Sequence, residues 1–129
     1  MIEFIKYNNN PYGRLTGDCV IRAISLAVNK DYNEVLSEIV EICKTTGYYV
    51  TDYNCYKKYL AQNGFRIMFT HKGLTVKEIV ELCSNDNKNV TLVMRMSSRH
   101  VTVSKNGKVY DTVDCLSYPV NFYWMKMEE

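Results

Sequence analysis

Residues 100–112 read HVTVSKNGKVYDT, in which apolar and polar side chains alternate on both sides of Asn106-Gly107. Alternation with a period of two is typical of strands that bury one face, and Asn-Gly between two such runs favours a two-residue hairpin turn. A turn of that length also fixes the pairing register, because the residues that flank it lie directly opposite each other. The sequence therefore predicts an antiparallel hairpin with strands over His100–Ser104 and Lys108–Thr112.

The register of this hairpin brings a histidine and an aspartate to the same face. His100 lies opposite Val113, and Asp111 precedes Val113 by two residues, so its side chain lies diagonal to the histidine. A carboxylate that bonds one imidazole nitrogen fixes the tautomer and leaves the other nitrogen free to act as a base. Asp114 falls on the opposite face and is the substitute for Asp111 if the turn is longer. The hairpin thus predicts a His–Asp pair.

The sequence before the hairpin has mainly helical periodicity. Apolar residues at helical spacing follow Asp18, a residue type that favours the N-cap: Val20, Ala23, Ile24 and Ala27. This pattern predicts a helix that begins at Cys19 and ends near Asn29. The other predicted elements are helices near 31–44, 52–64 and 75–83, and strands over 65–70, 90–96 and 121–126. The order, helices first and then antiparallel strands, predicts an α+β fold in one domain over residues 1–129.

Composition and charge narrow the class of protein. Of the 129 residues, 47% are hydrophobic and 23% are charged, the balance of a soluble globular protein. The net charge is +2 and the charges are dispersed, so we expect no nucleic-acid partner. The chain shows neither a signal-peptide pattern nor a window near the roughly 18 apolar residues of a membrane span. We expect a cytoplasmic protein without a membrane partner, from a low-GC bacterium or its phage, and the sequence leaves its oligomeric state open.

One cysteine differs from the rest. The five are Cys19, Cys43, Cys55, Cys83 and Cys115. Their odd number and irregular spacing argue against a disulfide framework, and the lack of a Cys-x-x-Cys pair argues against a zinc site. Cys19 is the first residue of a predicted helix, where free N–H groups and the helix dipole favour a thiolate. We expect the other four to be structural, His71 to be a turn residue, and the protein to need no metal or cofactor.

Three motifs together resemble those of a known superfamily. GDCVIRA at residues 17–23, HVTV at residues 100–103 and the following Asp111 resemble papain-like cysteine peptidases, in particular small bacterial and phage members such as bacteriocin-processing and NlpC-type peptidases. The resemblance implies that N-terminal helices pack on a C-terminal antiparallel sheet. It also implies that Cys19 is the nucleophile, His100 the base and Asp111 the residue that orients the base. The expected reaction is cleavage of a peptide or isopeptide bond in a protein or peptide substrate, through a thioester.

The oxyanion donor departs from the papain-like pattern. In those enzymes a glutamine about six residues before the cysteine donates to the oxyanion, and Gly13 occupies that position here. Asn10 and Thr16 are the candidate replacements, together with the backbone N–H of Cys19. The departure keeps a second hypothesis open, a non-catalytic papain-like binding or inhibitor module such as a phage accessory protein. A deamidase or transglutaminase would use the same triad. A structural protein in which the three residues never meet is the third hypothesis.

Overall fold

The structure is a computed structural model that describes residues 2–69, 73–84 and 89–128. Within those ranges the chain forms four α-helices and a six-stranded mixed sheet, which is an α+β fold. The helices are α1 (Cys19–Val28), α2 (Tyr32–Thr46), α3 (Tyr53–Gln62) and α4 (Val76–Ser84). The strands are β1 (Glu3–Lys6), β2 (Arg66–Phe69), β3 (Val90–Met96), β4 (Val101–Lys105), β5 (Lys108–Asp111) and β6 (Val120–Met127). The prediction for His71 lies outside the described residues.

The hairpin β4–β5 has the predicted register. Lys105 pairs with Lys108 across the turn, so the two-residue loop is confirmed. Asn106 and Gly107 have positive φ angles of 54° and 81°, the left-handed conformation that the hairpin turn requires and that these two residue types tolerate. The local sequence is therefore sufficient to set this part of the sheet.

The sheet is mixed, and this corrects the prediction of a purely antiparallel sheet. The strand order is β1-β5-β4-β3-β6-β2, and β1 lies parallel to β5 with Glu3 beside Lys108. Strand β1 was not predicted, because it has only four residues and its partner β5 is distant in sequence. Beyond β1, the Tyr7 N–H donates to the Asp111 carbonyl at 2.8 Å, so this segment supports the end of β5.

The helix boundaries follow from their capping residues. Gly47 ends α2 in the left-handed conformation, with φ 83°. At α4 the predicted capping box forms, because the Thr75 N–H donates to Glu78 Oε1 at 2.9 Å and the Glu78 N–H donates to Thr75 Oγ1 at 3.2 Å. The box predicted at α2 is replaced by a simpler cap, in which Asp31 accepts from the Asn33 N–H at 3.1 Å.

Helices cover both faces of the sheet. Helices α1, α2 and α3 pack on the face that carries Val93, Val101 and Trp124, whereas α4 packs on the opposite face with Leu92 and Met94. This second layer explains why β3 is buried along nearly its whole length, as strands between two helical layers are. In the described ranges, no helix is long and apolar enough to cross a membrane.

Candidate active site

The structure brings Cys19, His100 and Asp111 together. Cys19 is the first residue of α1, His100 immediately precedes β4, and Asp111 is the last residue of β5. His100 Nε2 lies 2.6 Å from Asp111 Oδ2, as the hairpin register predicted. The Cys19 thiol lies close enough to the His100 side chain for each group to shift the pKa of the other. Because Nε2 bonds the aspartate, Nδ1 is the ring nitrogen left for the thiol.

The alignment of α1 with β4 sets this arrangement. At the start of both elements, the Cys19 thiol lies near enough to the backbone N–H of Val101 for that group to lower its pKa. At the other end of both elements, Lys105 Nζ donates to the Leu26 carbonyl at 3.1 Å and to Asn29 Oδ1 at 2.6 Å. The helix is thus held beside the strand at both ends, and its N-terminus points its thiol at the histidine.

The electrostatics favour a charged thiol–imidazole pair. Burial raises the pKa of Cys19, but hydrogen bonds from His100 and the Val101 N–H, with the nearby positive charges, lower the pKa on balance. The pKa of His100 rises to about 9, first because of its hydrogen bond to Asp111 and then because of its bond to Cys19. Burial raises the pKa of Asp111, and its bond to His100 more than offsets this, so its pKa is lowered. These directions favour the thiolate–imidazolium form of the pair, beside an ionised carboxylate.

A second layer of polar groups holds the Asp111 carboxylate. Its Oδ1 atom accepts from the Thr112 N–H at 2.6 Å and lies 3.5 Å from Arg22 Nη1. Arg22 Nε in turn donates to Asp18 Oδ1 at 2.8 Å. The sequence analysis missed Arg22, although its spacing of four residues from Asp18 on one helix is the pattern that favours such an ion pair. The carboxylate that orients His100 is therefore itself held in position.

Of the two predicted oxyanion donors, Asn10 has another hydrogen-bond partner and Thr16 lines a cavity. Asn10 Nδ2 donates to Asp18 Oδ2 at 2.9 Å and contacts the Tyr32 hydroxyl at 3.5 Å, so its amide supports Asp18. Thr16 is exposed and lines a cavity of about 190 Å³ between the start of α1 and α2. The donor that the helix geometry supplies is the backbone N–H of Cys19, since N–H groups of a first turn have no partner within their helix.

The four cysteines expected to be structural have distinct surroundings. Cys43 Sγ and Cys55 Sγ lie 3.3 Å apart between α2 and α3, and Cys83 Sγ lies 3.6 Å from the Tyr123 hydroxyl. Cys115 is fully buried against Asp111, a proximity that its loop position did not reveal. All five cysteines are free thiols.

One group of side chains has the donor atoms of a metal site. His100, Asp111 and Cys115 each offer one ligand atom, and these atoms lie within 4.8 Å of one another. Nitrogen, oxygen and sulfur donors suit zinc. However, burial raises the pKa of Cys115 to about 12, so its thiol is protonated, and the carboxylate oxygen between the other two is occupied by the short bond to His100. The arrangement favours a hydrogen-bonded cluster.

The positions of the thiol, the imidazole and the carboxylate follow from the hairpin register and from the start of α1. Models of protein families, curated proteins and solved structures were compared with the chain, and none of the three comparisons gave a match.

Proposed function

We propose that this chain is a papain-like cysteine hydrolase that cleaves a peptide or isopeptide amide bond. The observation that carries the proposal is a thiol at a helix N-terminus, paired with an imidazole whose other nitrogen lies 2.6 Å from a buried carboxylate. Cys19 is the nucleophile, His100 the acid and base, and Asp111 the orienting residue. The order of the three along the chain, and the packing of α1 against the hairpin, support the papain-like relationship.

The reaction follows from the charge states of the three residues. The Cys19 thiolate attacks the amide carbonyl carbon, and the resulting oxyanion accepts from the Cys19 backbone N–H. The His100 imidazolium gives its proton to the departing amine as the C–N bond breaks, which leaves a thioester on Cys19. Water then attacks the thioester while His100 accepts its proton, and the C–S bond breaks to release the acid and restore the thiolate. Asp111 keeps the ring in the reactive orientation throughout.

A non-catalytic binding module is the second candidate. The observation that favours it is the oxyanion region, where Gly13 offers no side-chain donor and the amide of Asn10 is bonded to Asp18. Such a protein would keep the reactive thiol and lack turnover. The two candidates are separated by measuring thiol reactivity and acyl transfer independently, because alkylation needs no oxyanion donor and ester hydrolysis does.

The deciding experiment measures iodoacetamide labelling of each cysteine against pH, by peptide mapping, in the wild type and in His100→Ala. We expect Cys19 to react at about pH 6–7 at least about tenfold faster than the other four thiols. We expect His100→Ala to slow it by a similar factor, with an unchanged circular dichroism spectrum as the folding control. Equal reactivity of all five cysteines, or no effect of the substitution, would contradict the proposal.

Turnover is measured on an activated acyl ester, with p-nitrophenyl acetate as the reagent. A burst of nitrophenol followed by steady release indicates that the thioester forms and is hydrolysed. A burst without steady release, together with fast labelling, supports the binding module. Cys19→Ala is the control, since it removes both phases and leaves the other four thiols in place.

A further inference from the structure

We propose that Arg22 and Asp18 are positioning residues of this site: Arg22 clamps the Asp111 carboxylate against His100, and Asp18 holds Arg22 in place. The inference rests on the proposed function, because it assigns these residues to the same thiol–imidazole pair. It adds the Arg22 guanidinium and the Asp18 carboxylate, which both lie near the start of α1, to the groups that control the reactivity of the thiol.

The guanidinium of Arg22 lies between two carboxylates. Its Nε is 2.8 Å from Asp18 Oδ1, and its Nη1 is 3.5 Å from Asp111 Oδ1. All three side chains are at most 9% exposed. Arg22 lies on α1 one turn after Cys19. A single helix therefore carries both the thiol and the positive charge that lies beside Asp111.

Stability alone does not account for this buried network. Removing an ion pair from water costs several kcal/mol per charge, and well-packed apolar side chains in its place are often as stable or more so. What an apolar side chain cannot do is balance the charge of Asp111. With His100 on Oδ2 and Arg22 and the Thr112 N–H on Oδ1, the carboxylate cannot rotate away from the histidine.

Asp18 does not cap α1 with its side chain, although its position predicts that role. It occupies the N-cap of α1, but its side chain makes no capping hydrogen bond, although such a bond would stabilise the helix. Both carboxylate oxygens are used elsewhere. Oδ1 accepts from Arg22, and Oδ2 accepts from the Tyr32 hydroxyl at 2.7 Å and from Asn10 Nδ2 at 2.9 Å. Burial and the bond to Asp18 raise the pKa of Tyr32 to about 12, so the hydroxyl remains a donor at neutral pH.

The charge of Arg22 acts on both ends of the triad. It lowers the pKa of the Cys19 thiol through space, and it bonds the carboxylate that keeps His100 protonated. The pKa values of the other titratable groups that face this network would change with it. These groups are Asp18, Cys19, Tyr32, His100, Asp111 and Cys115. Removal of the charge should therefore shift the pH at which Cys19 becomes reactive, which loss of packing would not do.

The test compares Arg22→Gln, Arg22→Lys and Asp18→Asn in the labelling assay against pH, with thermal unfolding as the folding control. We expect Arg22→Gln to move the acid limb of Cys19 labelling to higher pH by about one unit, and to slow labelling at about pH 6 roughly tenfold. Arg22→Lys should recover part of the loss, because it keeps the charge without the planar fork. Asp18→Asn should produce a smaller shift in the same direction.

The matched control is Lys30→Gln, which removes a half-exposed ion pair with Glu38 and should leave the labelling profile unchanged. If folded Arg22→Gln has the wild-type profile, the inference is overturned and the proposed function stands. If wild-type Cys19 shows no reactivity at acid pH, the proposed function fails, and the inference fails with it. If Arg22→Gln unfolds at the assay temperature, the profile of Asp18→Asn decides, and a wild-type profile there overturns the inference.

Discussion

Cys115 Sγ lies 3.6 Å from Asp111 Oδ2, the same carboxylate oxygen that His100 Nε2 contacts at 2.6 Å. Two thiols therefore flank one His–Asp pair, and their surroundings give them opposite properties. The pKa of Cys19 is lowered, whereas burial raises the pKa of Cys115 to about 12. Because only a thiolate is a strong nucleophile, Cys115 acts as a hydrogen-bond donor to the carboxylate.

The substitution Cys115→Ala should leave the reactivity of Cys19 within about threefold of the wild type, because His100 and Arg22 still hold Asp111. The free energy of unfolding should fall by about 1 kcal/mol, the cost of a small cavity. Iodoacetamide labelling and urea unfolding measure the two effects. Labelling of Cys115 in the folded wild type would show that its thiol is not the buried donor described here.

His100 should make stability depend on pH. Its pKa is raised from 6.5 to about 9 on folding, so the folded state binds the proton more tightly than the unfolded state does. The stabilisation is therefore complete below the unfolded value and is lost as the pH rises through the folded value. Urea unfolding should show that the stability difference between a Cys19→Ala protein and Cys19→Ala/His100→Gln shrinks as the pH rises above about 6.5. The window should end below pH 9, because the bond to Cys19, the second cause of the raised pKa, is absent in this background. The Cys19→Ala background removes the titration of the thiol. A difference that grows with pH would contradict the raised pKa.

Asp111→Asn should uncouple the histidine from the network. The hydrogen bond to Asp111 is the largest cause of the raised pKa of His100, so the pKa of His100 should fall toward 6.5, as followed by NMR titration of the ring protons. Cys19 labelling near neutral pH should slow by at least about tenfold. Asp114→Asn is the matched control, because Asp114 is exposed and its carboxylate accepts only from the Leu116 N–H among the contacts described, at 3.2 Å. Equal effects of the two substitutions would contradict the assignment of Asp111.

Cys43 and Cys55 should form a disulfide under mild oxidation, since their sulfur atoms are 3.3 Å apart and both are free. Diamide would remove two hydrogen atoms as the S–S bond forms, and the cross-link between α2 and α3 should raise the melting temperature by constraining the unfolded chain. Mass spectrometry and a thermal melt measure the two effects. The Cys43→Ser and Cys55→Ser proteins are the controls. A different cysteine pair in the oxidised peptides would contradict the geometry.

Local signals in the sequence predicted the parts of the fold that local chemistry builds. The Asn106-Gly107 turn set the hairpin register, and that register placed His100 beside Asp111. The start of α1 was equally predictable, because Asp18, a residue type that favours the N-cap, precedes an apolar helical stripe. These predictions were successful because a turn or a cap depends on residues only a few positions apart.

Contacts between distant segments were not predictable in this way. Arg22 and Asp111 are 89 positions apart, and nothing near either residue indicates the other. Strand β1 was not predicted for the same reason, because its hydrogen-bonding partner β5 is also distant in sequence. Asn10 was one of two candidate oxyanion donors, and the sequence did not indicate that its amide donates to Asp18. Side-chain partners in an irregular loop depend on a path that the sequence pattern does not specify.

The pairing of β1 with β5 has a consequence for the nascent chain. Cys19 leaves the ribosome before His100 and Val101, which lower the pKa of its thiol. The strand β1 is likewise made before β5, and it cannot pair until β5 has been synthesised. Until the hairpin β4–β5 has left the exit tunnel, Cys19 lacks the groups that lower the pKa of its thiol. The order of synthesis thus separates the appearance of the thiol from the appearance of its neighbours.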